Sequence, residues 1–379
     1  MAHPLWQIRP DTTYLNHGSF GPPSRPVIEA CRHWQDELAQ QPMDVFVRRQ
    51  ESALLAARER LASWLGTRAD NMALIDNATW AMNVVAESVV LEAGDNVVLS
   101  DHEYGAVERI WERACRRTSA QLKTAVLPAH FQDPQEVVDA LLDACDERTR
   151  LIVVSHITSP TAITLPVEQI CERARREGIA VCVDGPHAPA QIPLNLDQLD
   201  CDFYVASCHK WLSASFGSGF LYVPPRQQPS IRPLLLSWGK LPPEEPSNWS
   251  DDFLWLGTRD VSALLTIPVA IDVLEEIGWE HFRQQGHQLA RSARHQLVER
   301  LGTSCLVDDD PCWYSNMAHV ELPVQDGSQL QQALWDRHRI EVPVVHWKDR
   351  WFIRVSCYLY NEEDEVDKLV DALAGLLET

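Results

Sequence analysis

A chain of 379 residues is longer than one typical domain, which predicts a large domain together with a smaller one. Its 54 acidic residues outweigh 33 basic ones, for a net charge of -21. Repulsion on that scale argues against nucleic acids and anionic membrane surfaces as partners, though not against an anionic ligand held in a local site. No apolar run approaches the roughly 18 residues of a membrane span. Residues 1–10 carry Pro4 and no apolar signal core, so the expected location is cytoplasmic. Ten cysteines are scattered without a CxxC pair, and they read as reduced core thiols with no metal site.

Helical and strand patterns alternate from Glu51 onward. Leu54, Leu55, Leu61 and Leu65 predict a helix over 51–65, followed by a short strand over 72–75. Ala81, Val84, Val85, Ser88 and Val89 place a helix over 79–91. A strand over 96–99, a helix over 106–117 and a strand over 123–127 come next. Pro134 opens a helix over 134–145. A strand over 151–154 precedes a helix over 167–177, closed by Gly178. Two more apolar runs read as strands: 179–183, which stops at Asp184, and 203–206, which leads into Ser207-Cys208-His209-Lys210. A strand over 220–223 follows Gly217 and Gly219. This alternation implies an α/β fold with a mostly parallel sheet sandwiched by helices.

Residues 224–246 are Pro-rich and aperiodic, the pattern of a long loop over the surface or a subunit interface. Helices over 261–277 and 279–301, strands around 319–321 and 352–355, and a closing helix over 362–377 read as a smaller α+β domain. The expected division is 16–265 for the large domain, with 1–15 and 266–379 in the small one.

Asp184 and Lys210 carry the chemistry. Each lies at or just beyond the C-terminal end of a predicted parallel strand, where ligands of open α/β sheets bind. A carboxylate and an amine there suit a pyridinium nitrogen and a Schiff base, the two protein groups that pyridoxal phosphate (PLP) needs most. A structural ion pair would produce the same two letters. Asn77-Ala78-Thr79 sits between a strand and a helix, so it is either a phosphate-binding helix start or a simple N-cap. Ser207 and His209 flank the amine as possible phosphate donors.

Six stretches extend this reading: Tyr14-Leu15-Asn16-His17-Gly18-Ser19-Phe20-Gly21, Asn77-Ala78-Thr79, Asp101-His102-Glu103-Tyr104-Gly105, Val183-Asp184-Gly185-Pro186-His187-Ala188-Pro189, His209-Lys210-Trp211 and Gly257-Thr258-Arg259-Asp260. In this order they resemble the class V, cysteine-desulfurase-like, group of fold-type I PLP enzymes, and within it the isopenicillin N epimerase-like branch. The resemblance implies that Lys210 forms the Schiff base and then shuttles the α-proton, while Asp184 pairs with the pyridine nitrogen. Tyr104 would stack on the cofactor face and Thr158 would lie near its phenolic oxygen. Asn77, Ala78, Thr79, Ser207 and His209 would surround the phosphate, and His187 would lie close to Asp184 and the ring. Thr258 would reach the phosphate of a neighbouring subunit, which implies a homodimer with shared sites. Arg354 would bind the α-carboxylate of an amino-acid-type substrate, with Asn16 and His17 also near substrate.

One departure stands out. Cysteine desulfurases carry a nucleophilic Cys shortly before the carboxylate-binding Arg, whereas 342–350 contains none. Racemisation, transamination and elimination with C–S cleavage, as in a lyase acting on a cysteine derivative, all remain open. A non-catalytic PLP-fold binding protein is the remaining alternative, and it has no need of a Lys210 base.

Overall fold

Six of the seven strands in the main sheet run in the same direction. From edge to edge the order is Met72–Ile75, Gly219–Tyr222, Phe203–Ser207, Ala180–Asp184, Thr149–Ser155, Asn96–Ser100 and Gln121–Ala125, and only Gly219–Tyr222 opposes the rest. This is a computed structural model, and it describes residues 4–378. Residues 1–3 and 379, which the expected small domain includes, lie outside the described residues.

The central strands are continuous apolar runs because both faces of the sheet are covered. Val97, Leu99, Val153 and Val205 pack with Val84, Val85, Val107 and Trp111 from the helices Ala78–Ser88 and Gly105–Thr118. Their strand neighbours Val98, Ile152, Val154 and Val181 pack on the opposite face with Val137, Leu141 and Ile170, from Pro134–Asp143 and Val167–Arg176. Alternate residues of each strand therefore feed different layers, as strand geometry requires. The strands Ala180–Asp184 and Phe203–Ser207 end on Asp184 and Ser207.

A second, antiparallel sheet has the order Val344–Trp347, Arg350–Ser356, Met317–Leu322 and carries Arg354 on its central strand. Thr13–Tyr14 pairs with Ile340–Glu341, and Asn16 bridges Ser356, so the N-terminal segment is stitched to this later part.

Two expectations change. The helix expected over 261–277 is broken into Ser262–Leu265 and Ile267–Ile277. Pro268 lies in the first turn of the second piece and lacks the N–H a continuous helix needs. Thr266 stands at the break, where its hydroxyl donates to Ala263 O (2.7 Å) and accepts from Ser215 N–H (3.1 Å). The strand expected over 123–127 lies at Gln121–Ala125. Sequence patterning did not find the helix Arg25–Gln40, the helix Leu330–His338 or the strand Val344–Trp347. Val27 is the only fully buried residue of the first and Leu334 of the second, so neither carries a dense apolar stripe. All ten cysteines are unpaired, and only Cys312 is exposed.

Candidate active site

The C-terminal ends of the parallel strands open onto a cavity of about 550 Å³, within the usual range for a small-molecule site. Asn77, Ala78, Thr79, Tyr104, Asp184, His187, Ser207, His209, Lys210 and Arg354 line it, together with Gly18, Ser19, Phe20, Met82, Ile157 and Ser159. Chain segments far apart in sequence thus supply one wall each.

Lys210 and Asp184 lie in the buried part of this cavity. Burial pushes the Lys210 ammonium well below its ordinary range, and the nearby Arg354 cation adds to that; Asp184 opposes it. Burial pushes the Asp184 carboxyl up, and Lys210 opposes that shift. Lys210 Nζ lies 3.0 Å from His187 Nε2, and the Trp211 indole N–H donates to His187 Nδ1 at 3.2 Å. Gly21 packs beneath the Lys210 backbone, where a Cβ would sit 2.2 Å from Lys210 O. Gly217 has φ of +88°, in the left-handed region that glycine occupies without strain.

Arg354 reaches into the cavity from the antiparallel sheet. Its guanidinium donates to Ser19 Oγ (2.8 Å) and to the Ser159 carbonyl, and its Nε has no hydrogen-bond partner among the described residues. It forms no ion pair among the described residues either, the nearest approach to neutrality being those serine oxygens. Burial lowers its pKa to about 10. A buried cation without a carboxylate is costly, and a ligand carboxylate is the natural complement.

The opposite end of the cavity is an anion-binding helix start. Asn77 caps the helix Ala78–Ser88 by accepting from Trp80 N–H (2.9 Å), and Ala78 N–H donates to Ser207 Oγ (3.0 Å). His209 lies alongside, with Nδ1 buried and lacking a partner among the described residues. Helix dipole, hydroxyls and an imidazole with spare capacity suit a phosphate.

The sequence profile described as Aminotransferase class-V matches residues 14–369. The chain belongs to the aminotransferase class-V family. It is 38% identical over 381 residues to isopenicillin N epimerase of Streptomyces clavuligerus, covering 97% of this chain and 96% of that protein. It is 39% identical over 383 residues to isopenicillin N epimerase of Amycolatopsis lactamdurans, covering 97% of this chain and 96% of that one. Among solved structures, a lysine-to-alanine mutant of the cystine C–S lyase C-DES, with glycine covalently linked to its PLP cofactor, has a TM-score of 0.87 at 21% identity. That match covers 96% of this chain and 97% of C-DES, and it shows the shared fold. The class-V family is PLP-dependent, and the donor set just described fits PLP from one end of the cavity to the other.

Four residues expected from the family resemblance stand outside the cavity. The Thr158 hydroxyl is spent on Thr161 Oγ1 (2.8 Å) and Ile163 N–H (2.8 Å), and it is the neighbouring Ile157 and Ser159 that line the site. Asn16 donates to Glu341 Oε1 (3.2 Å). His17 is fully buried, bonded to Tyr360 Oη (2.8 Å) and Lys210 O (3.1 Å) and stacked on Tyr358, so it holds the Lys210 backbone and does not line the cavity. The wall expected of Asn16 and His17 is built by Gly18, Ser19 and Phe20. Thr258 is exposed and does not line this chain's cavity.

Sequence reasoning quoted Glu103 in a motif but gave it no role. The structure buries it, with Ser100 Oγ (2.6 Å), Ser155 Oγ (2.6 Å) and Ser155 N–H (3.0 Å) donating to its carboxyl. Burial raises its pKa from 4.5 to about 7 against those hydrogen bonds, and the charge of Asp184 adds to the rise. Because the folded value lies above the unfolded one, this group's contribution is fully favourable below about pH 4.5 and declines as pH climbs to about 7. The loss amounts to about 3 kcal/mol. Glu103→Gln should therefore flatten the fall in melting temperature between about pH 5 and about pH 8. Parallel melting curves for the two proteins would contradict this account.

Proposed function

We propose that this chain catalyses proton transfer at Cα of an amino acid or amino-acid derivative bearing a free α-carboxylate, with epimerisation as the outcome. The observation that carries the reading is Arg354, a buried guanidinium with no carboxylate partner, facing the same cavity as Lys210. Identity of 38–39% to isopenicillin N epimerases over nearly the whole chain supports the choice among outcomes.

When bound, PLP supplies an aldehyde for amine condensation and an electron sink that acidifies the Cα–H. Lys210 would hold the cofactor's aldehyde carbon through Nζ, and the same amine, kept free by its lowered pKa, would take the Cα proton. Asp184 would face the ring nitrogen and keep its proton in place. Arg354 orients the carboxylate through a two-pronged contact. Tyr104, half exposed, would cover one ring face. Ala78, Thr79, Ser207 and His209 would hold the phosphate.

Cysteine-based sulfur transfer finds no support here. None of the cavity-lining residues is a cysteine, and Cys357 is buried beyond Arg354. The test is incubation of the protein with PLP and a panel of amino acids, cysteine derivatives and short peptides in D2O. Exchange of Cα–H with inversion, and without release of sulfide or keto acid, is expected. Sulfide or keto acid as the main product overturns the reading.

The functional unit in this reading is a homodimer acting in the cytoplasm, with 16–265 carrying the cofactor and 1–15 with 266–379 carrying Arg354. Among the described residues no helix is long and apolar enough to cross a membrane. Thr258 is exposed, and Leu235, Leu236 and Trp238 of the neighbouring loop present bare apolar surface, as a shared two-fold interface would use. Light scattering should give twice the chain mass. A monomer with full PLP occupancy removes Thr258 from the site.

A further inference from the structure

Trp211 follows Lys210 directly and is completely buried, its carbonyl accepting from Tyr358 Oη (3.2 Å) and its ring lying 5.2 Å from that of His17. Its indole N–H points at His187 Nδ1 (3.2 Å), while His187 Nε2 faces Lys210 Nζ (3.0 Å). An indole nitrogen donates and never accepts. His187 Nδ1 must therefore offer its lone pair, and a neutral ring then carries its proton on Nε2. Burial, with the Arg354 cation nearby, keeps the His187 ring neutral.

We propose that Trp211 is a positioning residue that fixes His187 as its Nε2–H tautomer, so that His187 donates to Lys210 Nζ and holds this amine in its unprotonated form. An ammonium at Nζ would meet an N–H where it needs an acceptor. The selection rests on the direction of one hydrogen bond, because Lys210 is also faced by Asp184, which favours its charge, and by Arg354, which opposes it. His209 is the remaining titratable neighbour, and burial keeps it neutral with a pKa of about 4. The proposal rests on the function assigned above to Lys210, and deepens it by naming what readies the amine for an aldehyde.

Two measurements test it. In the full-length protein labelled with 15N-histidine, long-range proton–nitrogen correlation reads each ring's tautomer, with and without PLP, and His187→Gln identifies the resonance. Nε2 protonated and Nδ1 bare is expected; a proton on Nδ1 overturns the proposal. The second is the rate of PLP capture by the cofactor-stripped full chain as a function of pH. In Trp211→Phe the ring is free to protonate Nδ1 and accept from a Lys210 ammonium. The capture profile should then move upward by roughly one pH unit, a tenfold lower free-amine fraction at a given pH on its lower limb. Superimposed profiles overturn the proposal. If the wild-type chain captures no PLP, the assigned function fails, and the tautomer spectrum alone decides the role of Trp211.

Discussion

Arg354→Ala should weaken substrate binding by about 2–5 kcal/mol while leaving the melting temperature unchanged or higher. The two halves of this result come from the same fact. Arg354 is buried and donates only to Ser19 and Ser159, so the folded protein holds a cation with no counter-charge among the described residues. Removing an uncompensated buried charge relieves a desolvation penalty. Removing it in the presence of a substrate carboxylate strands that carboxylate in the same low-dielectric site. Arg354→Lys should recover part of the affinity, since an ammonium keeps the charge but loses the planar fork. Spectral titration with substrate and thermal melting of the same sample separate the two effects. Intact affinity with a large loss of stability would make Arg354 a structural ion and leave substrate recognition without a residue.

Lys210→Ala should abolish covalent capture of PLP and slow Cα–H exchange by at least about 10²–10⁴-fold, the usual worth of a positioned proton-transfer group. Borohydride treatment of the wild-type protein with PLP should leave the cofactor on the peptide that contains Lys210. Among the described residues the variant loses the only amine lining the cavity, so external amines should rescue exchange in part. Its fold should persist, because the strand Phe203–Ser207 and the buried Trp211 on either side keep their packing. A modified peptide lacking Lys210, or exchange at the wild-type rate in Lys210→Ala, would displace this residue from the centre of the mechanism.

The main sheet is legible in the sequence, because strands covered on both faces must be apolar throughout, and runs such as Leu151–Val154 and Val181–Val183 show this locally. The sequence also located Asp184 and Lys210, since strand ends in a parallel sheet share one edge, and the motif order tied Arg354 and Ala78-Thr79 to the same site. Elements whose burial is sparse escaped it: Arg25–Gln40 has a single fully buried residue, and Leu330–His338 likewise has only Leu334 fully buried. Tertiary structure alone decided which polar atoms face the cavity. Thr158 and His17 belong to the right motifs, yet the first spends its hydroxyl on its own turn and the second stacks on Tyr358, while Ser19, Ser159 and Gly18 come forward in their place. Glu103 and Trp211 acquire meaning only once the fold supplies their partners, because a buried proton's position is set by the donors and acceptors around it, and those come from chain segments that no local pattern connects.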